Sequence, residues 1–414
     1  MHPVCEACQQ RKKMISELHK LSLPQTTDCQ LCLGLLSTGI INDTAAQVLE
    51  QSKKYFQKCF TLHLAFPANL CLREMMFVKN NEIDMQSLFS LKEILKFFIS
   101  KKLEENGLRL STDECHLVAE INYSHSKEKE EALMLPDESS SKRPRKKQST
   151  SKNFLKQQTL KRDLTFDYVQ PAKLHSVNVK SSPRYLAGRY LKLERHISQT
   201  PWMADGKRLT EYSVSELIEA NLKTEFDCEV KFMSSGREDS DVLMLGSGRP
   251  FLLELIDSKL KGETKDLISL VNSFNPRVQV SCLEFTDYEI ARKILKQGED
   301  SKTKTYQCLV WNKEPKDISI LNLQDLMIKQ KTPIRVSHRR ANIVRERKIF
   351  SMQARKLTDH YFILELSTQS GTYIKEFVHS DLERTQPSVS SLLGTTLDLL
   401  ELDVIDIDIE WPPK

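Results

Sequence analysis

Between Met233 and Phe251 the chain sets three carboxylates beside an arginine in a glycine-bounded turn, Gly236-Arg237-Glu238-Asp239-Ser240-Asp241, and then runs into apolar residues. An acid presented this way can work in a partly desolvated pocket. If the segment ran as a strand, Asp239 and Asp241 would point the same way, but the residues alone do not choose among Glu238, Asp239 and Asp241. A solvated acidic turn is one alternative. A divalent-metal cluster of a nuclease is another, and it calls for further acids in separate apolar motifs, which the chain does not convincingly offer. Far downstream, Gly371-Thr372-Tyr373-Ile374-Lys375-Glu376 supplies a cation, Lys375, able to hold an acid ionised.

A second set of reactive side chains lies at the N-terminus. Cys5-Glu6-Ala7-Cys8 and Cys29-Gln30-Leu31-Cys32 are two C-x-x-C pairs. Each pair can turn two thiolates toward one tetrahedral ion, so Cys5, Cys8, Cys29 and Cys32 are expected to form a closed structural zinc site. Cys59, Cys71, Cys115, Cys228, Cys282 and Cys308 sit mostly among apolar residues and are expected to be core thiols.

These residues need a scaffold. From residue 1 to 123, helical stretches (Asn42 to Tyr55, Met85 to Leu103) alternate with strand-like runs (Phe60 to Phe66, Cys115 to Ile121), which predicts a small α/β module. Residues 124–153 are dominated by Ser, Lys, Glu and Arg and are expected to be a disordered linker. Within it, Lys142 to Lys147 has the composition of a nuclear-import signal. Residues 154–181 are expected to complete the accessory module. From 182 to 414, strand-like runs at Arg184 to Arg189, Tyr306 to Trp311, Phe362 to Ser367 and Leu399 to Ile409 combine with helical segments at Val214 to Thr224 and Asp287 to Lys296. That pattern predicts an α+β domain on a mixed or antiparallel sheet.

The motifs together resemble the tenth pseudouridine synthase family, the archaeal and eukaryotic tRNA enzymes with a THUMP-containing N-terminal module. Gly236-Arg237-Glu238-Asp239, Asp241-Val242 and Leu245 to Phe251 are similar to its second motif. Ser370 to Lys375 is similar to its third motif, and to a block of bacterial enzymes acting on the tRNA TΨC arm. Lys304-Thr305-Tyr306 before Cys308 to Trp311 is similar to the motif carrying its tyrosine. The resemblance implies that Asp239 is the nucleophile and that Lys375 pairs with it, in place of the bacterial arginine. It also implies that Tyr306 stacks on the base and assists proton removal, and that Tyr373 and Leu402 line the pocket. A THUMP-like fold for the N-terminal module is implied too. Leu243 replaces a common family arginine, and Ser380 and Glu383 stand where glycine is common.

Basic residues interleaved with aromatics suit RNA. Arg189, Arg195, Arg237, Arg249 and the strip Arg335 to Lys348, with Arg339 and Arg340, are expected to contact substrate. The net charge of +5 over 414 residues is modest, so affinity must come from such clusters. A hydrophobic content of 39% can fill two cores without disulfides. No apolar run approaches the roughly 20 residues of a membrane span, and no signal-peptide pattern is present. The expectation is a soluble, intracellular, nuclear and cytoplasmic monomer with no membrane partner and no catalytic cofactor. It would isomerise uridine in the TΨC arm of tRNA, at position 55 with 54 as a second candidate, and other structured RNAs are secondary candidates. The alternative is an RNA-binding protein of the same fold that acts by binding or remodelling.

Overall fold

The computed structural model describes residues 4–11, 18–26, 28–82, 88–111, 117–132, 170–259, 266–301, 303–338 and 340–413. The chain divides into two compact units, Met1–Ser182 and Pro183–Lys414. Lys142 to Lys147, Cys115 and Arg339 lie outside the described residues.

The first unit contains α1 (Glu6–Gln9), α2 (Thr38–Ser52), β1 (Cys59–Ala65), α3 (Ala68–Asn80), α4 (Leu91–Glu104), β2 (Arg109–Leu110), β3 (Leu117–Ser124), α5 (Glu128–Ala132) and β4 (Lys173–Ser181). Among the described residues these strands form one sheet in the order β2-β1-β3-β4, with β1 parallel to β2 and β3 and with β3 and β4 antiparallel. Period-two alternation turns Leu117, Ala119, Ile121 and Tyr123 of β3 into the core. α4 begins at Leu91, capped by Ser90, whose side chain forms a reciprocal capping box with Glu93; the expected start at Met85 lies outside the described residues.

The expected linker is corrected over its first residues. β3 runs through Ser124, and α5 follows at once. Glu131 of α5 makes a buried ion pair with Arg73 of α3, Nη2 to Oε1 at 2.6 Å, and buried His125 hydrogen-bonds Asn69 at 2.8 Å. Polar composition suggested solvent, but a buried arginine on α3 gives these polar groups partners inside the fold.

The second unit contains β5 (Arg184–Lys192), β6 (Met203–Ala204), β7 (Lys207–Arg208), α6 (Val214–Phe226), β8 (Glu229–Ser234), β9 (Leu243–Ile256), α7 (Leu267–Asn272), β10 (Val278–Thr286) and α8 (Tyr288–Ser301). They are followed by β11 (Thr303–Asn312), β12 (Leu323–Lys331), β13 (Val344–Lys356), β14 (Tyr361–Gln369), α9 (Ile374–His379), β15 (Thr385–Gln386), α10 (Val389–Leu393) and β16 (Leu397–Ile407). Among the described residues a ten-stranded mixed sheet runs β10-β5-β9-β16-β11-β14-β13-β12-β15, with β8 also paired to β9. Only the β9–β16 contact is parallel, and it covers just Leu243 with Asp403 and Met244 with Val404.

That short contact positions the acidic turn. One edge of β9 pairs with β8 from Phe251 onward and with β16 at its start. The connection from β8 to β9, residues 235–242, therefore lies where this edge passes from one neighbour to the other. Gly246 makes the close crossing possible. It has φ +58°, and a Cβ there would stand 1.8 Å from the carbonyl oxygen of Ile405.

Candidate active site

The acidic turn is fixed from beneath by a buried polar group. Glu238 points inward, 6% exposed, and its Oε2 accepts from Arg249 Nε of β9 at 2.6 Å. The Tyr190 hydroxyl of β5 donates to the same carboxylate at 2.9 Å, while Gln199 donates to Tyr190 at 3.1 Å and to the Gly236 carbonyl at 2.9 Å. Lys192, wholly buried on β5, spends its ammonium on the carbonyls of Ile197 (3.0 Å), Asp239 (3.0 Å) and Ser240 (3.2 Å). Burial lowers this ammonium to about 8, against the pull of nearby Glu238. Glu238 is thus the structural acid of the three.

Asp239 and Asp241 face out to cations. Lys375 Nζ lies 2.8 Å from Asp241 Oδ2 and 3.5 Å from Asp239 Oδ2, and Arg335 Nη1 lies 3.1 Å from Asp239 Oδ2. Both cations reach the same oxygen of Asp239, and among the described residues Oδ1 accepts no hydrogen bond. Burial pushes the Asp241 carboxyl up, but the hydrogen bond and charge of Lys375 outweigh it and leave it below the usual carboxylate range.

Asp239 opens on a cavity of about 370 Å³. Tyr306 of β11 and Leu402 and Val404 of β16 line it from one sheet face, since Tyr306 stands opposite Val404 and Cys308 opposite Leu402. Burial pushes the Tyr306 phenol up to about 12 although Arg249 pulls the other way. A phenol held neutral this firmly offers a stacking face and a hydroxyl donor at neutral pH, not a phenolate base. Tyr373 lines the cavity across from them. Its backbone is clamped by buried Gln330 of β12, which accepts from Tyr373 N at 3.0 Å and donates to Tyr373 O at 2.9 Å. Gly371, with φ +78°, makes the turn that brings β14 round to this residue. Among the described lining residues eight Lys or Arg side chains accompany two carboxylates, a balance suited to a polyanion.

Residues 185–408, more than half of the chain, match the protein family described as "Pus10, C-terminal". The chain belongs to the tRNA pseudouridine synthase Pus10 family. The mouse (Mus musculus) protein named tRNA pseudouridine synthase Pus10 is 37% identical over 93% of this chain and 79% of its own length. The Pyrococcus furiosus protein of the same name is 38% identical over 56% of this chain and 60% of its own. Among solved structures, one titled as a pseudouridylate synthase aligns over 59% of this chain and 74% of its own at 12% identity and a TM-score of 0.21.

In this Pus10-family chain several arginines are placed differently from the sequence expectation. Arg189 is buried and donates to the carbonyls of Gly248 (2.9 Å), Trp411 (3.3 Å) and Ile409, tying the C-terminal segment to β9. Arg249 is 1% exposed and committed to Glu238 and to the Ser235 carbonyl at 3.0 Å. Arg195 pairs with Asp403 at 2.8 Å and donates to Asp241 O at 2.8 Å. Within the basic strip, Lys348 turns to Asp325 at 2.6 Å, and Arg335 turns to Asp239. Buried carbonyls and carboxylates need donors, and the sequence does not show which arginines meet that need. Arg237, Arg340, Arg345 and Arg347 do line the cavity. The reasoning from sequence missed Lys192, Gln330 and Glu376. Lys192 and Gln330 share their strands with other polar residues and Glu376 lies on α9, so no local pattern singles them out.

The four cysteines of the first unit are also brought together. Their sulfurs all lie within 4.8 Å of one another, with Cys5 to Cys32 at 3.9 Å and Cys8 to Cys29 at 3.8 Å. A tetrahedral thiolate site with metal–sulfur bonds of about 2.3 Å has edges of about 3.8 Å, so this cluster fits a four-coordinate metal ion. Of the expected core thiols, Cys308 is fully buried, while Cys59, Cys71, Cys228 and Cys282 are half-buried. No helix among the described residues is long and apolar enough to cross a membrane.

Proposed function

We propose that this chain isomerises uridine to pseudouridine in tRNA, with Asp239 as the nucleophile. The observation that carries the reading is a carboxylate with one oxygen held by two cations and the other open, at the mouth of a cavity with aromatic and aliphatic walls. Membership of the Pus10 family supports it. The reaction needs a flipped base, a nucleophile and a place to turn the freed base. Asp239 Oδ1 bonds to ribose C1′ as the C1′–N1 bond breaks and its electron pair leaves with uracil N1. The base turns against Tyr306, Leu402 and Val404. Its C5 then bonds to C1′, the carboxylate departs with its electron pair, C5 gives up its proton to water and N1 takes one from water. Atoms and charge balance without a co-reactant.

In this reading Arg237, Arg340, Arg345 and Arg347 take backbone phosphates, and the target is the TΨC arm at position 55, with 54 as a second candidate. Cys5, Cys8, Cys29 and Cys32 would hold a structural zinc in the first unit, apart from the reaction.

The test is tritium release from C5-labelled uridine in an unmodified tRNA transcript, comparing wild type with Asp239→Asn in chelator-containing buffer. Release by wild type alone supports the reading. Release from neither, with tRNA binding intact, favours a role in binding RNA.

A further inference from the structure

Arg335 sits on the 3-10 turn Ile334–Val336, which is held to the following segment by Ile334 N donating to Asp381 Oδ2 at 3.3 Å. Its guanidinium bridges two acids. Nε donates to Glu376 Oε1 at 2.7 Å and Nη1 to Asp239 Oδ2 at 3.1 Å. Glu376 is buried, and its other oxygen has no hydrogen-bond partner, so its commitment among the described residues is to Arg335. It follows Lys375 directly on α9, and the two side chains go to different places: Lys375 to the aspartates, Glu376 into the core behind Arg335. Lys375 is closer to Asp241 than to Asp239, 2.8 Å against 3.5 Å, so its charge is shared.

We infer that Arg335, fixed in place by buried Glu376, is the principal cation that orients Asp239, and that Lys375 acts as a second cation divided between Asp239 and Asp241. The inference rests on the reading of Asp239 as nucleophile. A planar guanidinium can face two carboxylates at once, which a lysine ammonium in the same place does less well. Holding Oδ2 from one side fixes the carboxylate before attack and leaves Oδ1 directed at C1′. When C5 closes on C1′, the same contact favours departure of the carboxylate. Arg335 and Glu376 are positioning residues, since both act through Asp239. The other charged groups around Asp239 are Lys375 from α9, Asp241 and Glu238 from its own turn, Lys192 beneath it on β5, and the cavity-lining Arg237, Arg249, Lys304, Arg340, Arg345 and Arg347. None of them changes when Arg335 alone is replaced.

The experiment is single-turnover tritium release at a series of enzyme concentrations in excess over tRNA, for wild type, Arg335→Met and Arg335→Lys. A positioning role predicts that the saturating rate of Arg335→Met falls by about tenfold or more, while the enzyme concentration for half-maximal rate changes little. Arg335→Lys should fall between. Thermal midpoints check folding, and if Arg335→Met does not fold, Arg335→Lys carries the test. An unchanged saturating rate, with more enzyme needed for half-maximal rate, would mean that Arg335 serves RNA affinity only, and the inference would be wrong. No release by wild type would instead overturn the synthase reading itself.

Discussion

Lys192 Nζ stands 3.0 Å from the carbonyl oxygen of Asp239, wholly buried under the turn that carries the proposed nucleophile. The ammonium joins β5 to three carbonyls, two of which also accept from backbone N–H groups, Asp239 O from Val242 and Ser240 O from His196. Burial lowers the ammonium from 10.5 to about 8.

The sign of the resulting pH dependence is fixed. Between about pH 8 and 10.5 the unfolded chain holds a proton on Lys192 that the folded chain has lost. The free energy of unfolding therefore rises with pH across that window, by up to about 3 kcal/mol from this group alone. Below pH 8 the cost of the buried charge is constant. Lys192→Met should remove this contribution, and the difference in denaturant stability between wild type and variant, measured at pH 7 and near pH 10, checks it. An identical pH slope in both proteins would mean that Lys192 titrates normally.

Arg249 and Arg237 lie in the same motif and should respond in opposite ways. Arg249→Met leaves Glu238 buried without its cation and should lower stability by about 3–5 kcal/mol. Arg237, exposed at the cavity rim, should tolerate alanine within about 0.5 kcal/mol. Its loss should instead weaken tRNA binding and reduce the slope of log affinity against log salt by about one. Urea denaturation and a salt series of tRNA binding together separate the two.

One zinc ion per chain should be found by elemental analysis, and Cys8→Ser should abolish it. Because folding and metal binding are linked where four thiolates close a site, strong chelation should lower the thermal midpoint of the first unit. An unchanged midpoint after complete metal removal would mean that the cysteines are ordinary core thiols.

Ser380, Asp381, Leu382 and Glu383 form a consecutive left-handed run, with φ of 75°, 52°, 56° and 63°. Each such residue carries a cost of roughly 1–2 kcal/mol that glycine avoids. Glu383 contributes its backbone N to Ser380 Oγ at 3.0 Å, a bond that survives loss of its side chain. Glu383→Gly should therefore stabilise the protein by about 1 kcal/mol, and a lower denaturation midpoint would show that the turn is held some other way.

Much of the scaffold was legible in the chain because period and capping are local. The strands at Arg184, Tyr306, Phe362 and Leu399 and the helix from Val214 carry their own alternation or apolar stripe, and each has its counterpart in the sheet or on α6. The short parallel contact of β9 with β16 was not legible, since pairing depends on residues some 160 positions apart and neither strand's pattern names its neighbour.

The sequence by itself brought forward one acidic turn and one lysine-bearing segment as candidates for the chemistry, and two C-x-x-C pairs whose four sulfurs meet in the fold. Only the tertiary structure decided which acid is structural and which faces the cavity, and which arginines are free for RNA. A buried guanidinium and an exposed one read alike in a chain. What separates them is whether the fold leaves a carboxylate or carbonyl beside them that would otherwise go unpaired, as Glu238 does for Arg249 and Glu376 does for Arg335.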